Sequence, residues 1–146
     1  MQMFKRPVFR RSMLALALGL LSPVLQAETD KALIMLNSDL LQTQAMAMVL
    51  GNALQAQGVE VDVLLCDAGA KLALTETVSA QLKPVGVTPE QLMMKLQKGG
   101  ADVAVCALFL PNSTHSREDL RPGIQVAKPP VIAQQMMTGD TRVFVY

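Results

Sequence analysis

Residues 31–65 have the sequence KALIMLNSDLLQTQAMAMVLGNALQAQGVEVDVLL, which predicts one β-α-β unit. Its two ends, KALIMLN (31–37) and VEVDVLL (59–65), are short apolar runs with the length and composition of buried strands. Between them, apolar residues recur at the spacing of one helix face: Met46, Val49, Leu50, Ala53 and Leu54. Gly58 stands where a glycine commonly ends a helix. A helix is therefore expected to join two parallel strands.

Similar signals follow along the chain. Thr88, Pro89 and Gln91 form the pattern of a helix start, with a capping residue, a proline in the first turn and a capping-box partner. After Gly99-Gly100, the run ADVAVCALFL (101–110) predicts a central strand buried on both faces. The remaining segments predict a short strand, a helix and a closing strand: 123–127, 130–138 and 142–146.

Strands that alternate with helices predict an α/β fold. We expect a doubly wound, largely parallel sheet of four or five strands with helices on both faces, in a flavodoxin-like layout. In that layout the first three strands take the order 2-1-3. The residues after the first strand, Asn37-Ser38-Asp39-Leu40, contain no glycine, so no nucleotide is indicated and no cofactor is expected.

The amino end predicts a secretory signal peptide over residues 1–27, followed by one domain over 28–146. A basic segment precedes an apolar run from Met13 to Leu25, and Ala27 offers a small residue for cleavage. Four of the 13 basic residues lie in this segment and all 12 acidic residues lie beyond it, so residues 28–146 carry a net charge of −3. That charge disfavours nucleic acid and anionic membranes as partners. We therefore expect an exported, periplasmic protein with no membrane association after cleavage.

Chemistry-bearing residues gather at one predicted edge of the sheet. Cys106 is the candidate nucleophile and His115, in the polar loop that follows, is a candidate base. Ligands of doubly wound sheets bind beyond the carboxyl ends of the strands. The candidate substrate-binding residues are those that leave the first strand and those in the loop after Cys106: Asn37, Ser38, Asp39, Asn112 and Ser113.

The chain from about residue 31 to 146 resembles the DsrE/DsrF-like sulfur-relay family. The resemblance rests on KALIMLN (31–37), VDVLLCDAG (61–69), the capped helix before GGADVAVC (99–106), and RVFVY (142–146). It implies small α/β subunits assembled as trimers or hexamers. It also implies that Cys106, at the end of the third main strand, accepts sulfur as a persulfide and passes it to the thiol of a partner protein.

Two other interpretations of the function stay open. Cysteine is often a core residue, so the chain could be a non-catalytic oligomeric binding or structural subunit with an inert Cys106. The seven methionines beyond residue 27, with the cysteines, could serve a soft metal such as cuprous copper. Core packing on helix faces explains Met46 and Met93, and there is no closely spaced ligand set, so no metal site is predicted.

The second cysteine, Cys66, follows the second predicted strand. With the order 2-1-3, the first strand separates Cys66 from Cys106 by two strand spacings, roughly 9.6 Å. That separation exceeds the ~6.8 Å that a disulfide tolerates between α-carbons. We therefore expect no disulfide within one subunit, and expect Cys66 to act as a resolving thiol only after a loop movement.

Overall fold

The computed structural model describes residues 30–146, so the predicted signal peptide lies outside the described residues. Five strands form one parallel sheet in the order β4-β3-β2-β1-β5. In chain order the strands and helices are β1 (Lys31–Leu36), α1 (Leu41–Ala56), β2 (Glu60–Leu65), α2 (Pro89–Lys98), β3 (Asp102–Val105), β4 (Gln125–Val126), α3 (Pro129–Met136) and β5 (Thr141–Val145). Short 3₁₀ helices occupy Asp67–Ala73, Leu110–Asn112 and Arg117–Asp119. The doubly wound α/β prediction is confirmed.

The helices cover both faces of the sheet. Successive connections through α1 and α2 carry the chain from β1 to β3 in one direction, and these two helices pack on each other against one face. The connection through α3 returns the chain across the sheet to β5, beyond β1. α3 lies over the opposite face, where its Gln135 side chain donates to Asp62 of β2. The winding reverses once, between β4 and β5.

The predicted order 2-1-3 of the first three strands is wrong. β2 lies between β1 and β3, and pairs with each of them in parallel register. Because α1 and α2 both advance the chain in the same direction, the first three strands stand in their chain order. In the order 2-1-3, the first and third strands would be neighbours and could form a ligand-binding crevice at their carboxyl ends; in the observed order β2 separates them.

The core lies mainly between the sheet and the α1–α2 layer. It contains the alternating inward residues of β1, β2 and β3 together with residues of both helices, among them Ile34, Leu65, Val105, Met48, Met93 and Leu96. The predicted capping box at Thr88 and Gln91 is present and starts α2.

No helix within residues 30–146 is both long and apolar enough to cross a bilayer.

Two local predictions are corrected. The face of α1 that packs on the sheet is lined by small and polar residues, Gln44, Ala45, Ala47 and Gly51, with Met48. Most of the predicted apolar face is turned outward: Met46, Val49 and Leu50 are 52%, 46% and 41% exposed, whereas Leu54 packs against the core. The run 101–110 is not a long central strand, because β3 ends at Val105 and the chain then turns, leaving Leu108 exposed.

Candidate functional site

The two cysteines lie side by side at the carboxyl edge of the sheet. Cys66 follows β2 and Cys106 follows β3, and the last paired residues of these strands are Leu65 and Val105. The backbone N–H of Cys106 donates to the carbonyl of Leu65 at 2.8 Å, so the ladder continues one residue beyond the strands. Side chains alternate along a strand, so both thiols point to the face that α3 covers. They are in register on adjacent strands.

This adjacency overturns the distance argument made from the sequence. Neighbouring strands lie about 4.8 Å apart, and no strand stands between Cys66 and Cys106. That spacing falls inside the ~4.4–6.8 Å between α-carbons that disulfides use. Both cysteines are free thiols and both are partly buried. The pair can therefore meet without peeling either strand from the sheet.

The two thiols differ in their surroundings. The pKa of Cys66 is raised to about 12, mainly by burial and further by the neighbouring Cys106 side chain and the charge of Asp67. At neutral pH, Cys66 therefore keeps its proton. Since the thiolate is the reactive form of cysteine, a protonated Cys66 is a weak nucleophile, and Cys106 remains the candidate nucleophile of the pair.

The chain turns sharply after Cys66. Asp67 has a φ of 47°, and no other non-glycine residue in the described part of the chain has a positive φ. Such a backbone conformation is uncommon, although Asp tolerates it better than most residues. Two residues on, Gly69 donates its N–H to the carbonyl of Asn37 at 3.1 Å. The loop after Cys66 is thereby packed on the end of β1.

The segments that follow the two cysteines are tied to each other. Leu74 and Leu120 form an antiparallel bridge, and the N–H of Thr75 donates to the carbonyl of Asp119 at 2.9 Å. The guanidinium of Arg121 donates to the carbonyls of Leu72 and Thr77. These contacts join the loop after β2 to the loop after β3, so they hold the surroundings of both cysteines as one unit.

The structure brings only some of the predicted site residues at the end of the first strand close to the cysteines. Asn37 follows β1 in the same row as Cys66, and its backbone is bonded to Tyr146 and Gly69. Ser38 serves the start of α1, because its hydroxyl accepts from the N–H of Leu40 at 3.1 Å. Asp39 is exposed. Among these three, Asn37 is the one that the sheet register places beside the thiols.

The predicted residues of the loop after Cys106 make local contacts. The side chain of Asn112 donates to the carbonyl of Leu108, and that of Ser113 donates to the carbonyl of Leu110. The ring of His115 stacks on Phe109, with centroids 6.1 Å apart. No hydrogen bond joins the His115 ring to either cysteine within residues 30–146. The structure therefore gives His115 a packing contact with Phe109, which lies three residues beyond Cys106 in the chain.

A separate cavity of about 540 Å³ lies between α3 and the sheet. Its lining includes Leu33, Asp62, Asp102, Ile132 and Gln135, but neither cysteine. Burial raises the pKa of the Asp62 carboxyl, against the opposing effect of hydrogen bonds from Gln135 and the backbone of Asp102.

Within the described residues, no group of three or more His, Cys, Asp or Glu side chains could hold a metal ion.

The five-stranded parallel α/β sheet is a fold that this chain shares with proteins of known structure. Solved structures with this fold include YchN from E. coli (15% identity, TM-score 0.63), which matches over 82% of this chain and all of YchN. Another is MTH1491 from Methanobacterium thermoautotrophicum, a protein of unknown function (14% identity, TM-score 0.65), over 80% of this chain and 99% of that one. No family model and no curated protein match the sequence. At these identities the similarity establishes the fold alone.

Proposed function

We propose that this chain is an exported sulfur carrier of the DsrE/DsrF-like type, with Cys106 as the sulfur acceptor. The observation that carries the proposal is the in-register pair of thiols at the carboxyl edge of β2 and β3. The Cys106 thiolate attacks the outer sulfur of a donor persulfide, the donor thiol leaves, and Cys106 holds the transferred sulfur. A thiol of a partner protein then takes that sulfur by the same displacement and restores Cys106.

The neighbouring Cys66 supports this chemistry. Its side chain lies next to Cys106, in register on the adjacent strand, so a second thiol is close to any sulfur that Cys106 holds. Partial burial of both cysteines limits access by bulk water while leaving the sulfur reachable from the edge of the sheet. No nucleotide or metal takes part in the proposed transfer.

The transfer is tested by loading the purified protein with inorganic polysulfide. A Cys66→Ser variant should gain one sulfur on the Cys106 peptide, whereas a Cys106→Ser variant should gain none. Light scattering of the Cys106→Ser variant should match that of the wild type, which separates loss of chemistry from loss of structure. Full loading of the Cys106→Ser variant would contradict the assignment of Cys106.

Export is part of the proposal, and it rests on the signal-like amino end. Amino-terminal sequencing of protein recovered from the periplasm should begin near Glu28. A chain that retains Met1 would contradict the cleavage and would make the apolar run an anchor.

The proposal includes a homo-oligomer, a trimer or hexamer. Its physical support is the outer face of α1, where Met46, Val49 and Leu50 are exposed at helical spacing. A stripe of large apolar side chains on one helix face is costly in water and is typical of subunit contacts. A second copy of this chain is the occupant we propose.

A second candidate function is a binding subunit with unreactive cysteines, and the cavity beneath α3 favours it. Its volume of about 540 Å³ is in the range of small-molecule sites, and it combines apolar walls with a half-buried Asp62. Thiol labelling of the folded protein separates the two functions. Rapid labelling of Cys106 favours sulfur transfer, and labelling only after denaturation favours the binding subunit.

A further inference from the structure

The position of Cys66 suggests a second step at the same site. Cys66 and Cys106 extend adjacent strands by one residue each, with both side chains on one face of the sheet. The strand spacing of about 4.8 Å matches the separation of α-carbons in a disulfide. Neither strand has to leave the sheet for the two sulfur atoms to bond.

The surrounding loops hold this geometry. The Leu74–Leu120 bridge and the hydrogen bonds of Arg121 join the segment after Cys66 to the segment after Cys106. Two reacting groups that are held within bonding reach react with effective concentrations far above those of free thiols in solution. An adduct on Cys106 is therefore exposed first to Cys66 of the same subunit.

We infer that Cys66 discharges Cys106 within one subunit, leaving a Cys66–Cys106 disulfide. The sulfur of Cys66 attacks Sγ of Cys106, the new Sγ–Sγ bond forms, and the bond from Cys106 to its adduct breaks. For a Cys106 persulfide, which rests on the proposed function, the outer sulfur leaves with the electron pair of that bond and takes the Cys66 proton, departing as hydrogen sulfide. The outer sulfur is reduced, the sulfur of Cys66 is oxidised, and an external dithiol later reduces the disulfide.

The discharge step can be measured without any sulfur donor. Dithiobis(nitrobenzoate) transfers one thionitrobenzoate group to a reactive cysteine and releases a second, coloured one. Wild-type protein should release two coloured groups per subunit, the second in a phase that does not depend on reagent concentration, and its mass should be that of the chain less two hydrogens. Cys66→Ser should release one group and keep a stable adduct on Cys106.

Three results of this assay would overturn the inference. They are a stable single adduct on wild-type protein, two separate adducts with no disulfide, or a folded protein that does not react. Cys106→Ser provides the matched control: it should show no fast first phase, because Cys66 keeps its proton and remains partly buried.

A second arm separates this step from the proposed sulfur transfer. After loading with polysulfide and removal of the donor without reductant, wild-type protein should release one hydrogen sulfide per subunit and become disulfide-bonded. Cys66→Ser should hold its sulfur until dithiothreitol is added. If wild-type protein holds its sulfur equally well, the inference fails and the carrier function stands. If Cys66→Ser never gains sulfur while wild-type protein still releases two coloured groups, the carrier function fails and the discharge step stands.

Discussion

Replacing Gly69 with alanine tests how the loop after Cys66 is packed. A Cβ at this position would lie 2.4 Å from the carbonyl oxygen of Leu36 and 2.9 Å from its carbonyl carbon. Ordinary van der Waals contact begins near 3.5 Å, so the loop would have to move by about 1 Å. The obstacle is backbone of β1 rather than a flexible side chain, and so the clash cannot be relieved by a rotamer change.

The expected cost follows from these contacts. Overpacking a tight site costs about 1–3 kcal/mol. Moving the loop away also weakens the hydrogen bond from the Gly69 N–H to Asn37, which is worth about 0.5–1.5 kcal/mol. Gly69→Ala should therefore lower the free energy of unfolding by about 1.5–4.5 kcal/mol.

Urea unfolding of the reduced protein measures this loss, with all variants at one protein concentration because assembly shifts apparent stability. Gly139→Ala is the matched control, since a Cβ there meets nothing within 4 Å. The control should lie within about 0.5 kcal/mol of the wild type. A Gly69→Ala protein as stable as the control would refute the packing of this loop on the end of β1.

Three further predictions concern the surface, the thiols and the cavity. Replacing both Met46 and Val49 with lysine should dissociate the proposed oligomer, and light scattering that already gives monomer mass for the wild type at tens of micromolar would contradict the proposed interface. In Cys106→Ser, the pKa of Cys66 should fall from about 12 but stay above its ordinary value, because burial, the largest cause, remains; alkylation rate against pH measures it, and an unchanged value would contradict the pairing. The raised pKa of Asp62 means that the folded state binds its proton more tightly, so this group's contribution to stability is present below its unfolded pKa and is lost as pH rises through the folded pKa. As pH rises over that range, the free energy of unfolding of Asp62→Asn should increase relative to that of the wild type, which unfolding experiments at a series of acidic pH values measure. A constant difference between the two proteins would contradict the burial of Asp62.

Local signals in the sequence were sufficient for most of the elements. The capping pattern at Thr88, Pro89 and Gln91 is a contact among neighbours in the chain, so it predicted the start of α2 correctly. The short apolar runs predicted all five strands. The run 101–110 was assigned too long a strand, because its hydropathy continues past the turn that follows Val105.

The orientation of α1 could not be obtained from hydropathy. The helix lies so close to the sheet that a Cβ on Gly51 would come within 2.9 Å of the Ile34 side chain. Small residues therefore face the sheet, and Gln44 is buried with its amide bonded to the carbonyl of Ser38. The larger Met46, Val49 and Leu50 face outward, so the most apolar stripe marks an external surface.

The candidate site was predicted in part. The position of Cys106 at the end of its strand follows from the sequence, but its neighbour does not, because burial of each strand says nothing about which strands pair. The order β3-β2-β1 brings Cys66 beside Cys106 and removes the need for any loop movement. A helix that links each strand to the next in the same direction is the structural cause of that order.

The central claim is that Cys66 and Cys106 form one working pair, and a peptide map of protein purified without reductant tests it most directly. Mass spectrometry should find the two cysteines linked within one subunit, or Cys106 carrying an extra sulfur atom. In Cys66→Ser protein prepared in the same way, the extra sulfur should accumulate on Cys106. Two unmodified thiols that react with alkylating reagents only after denaturation would contradict the claim.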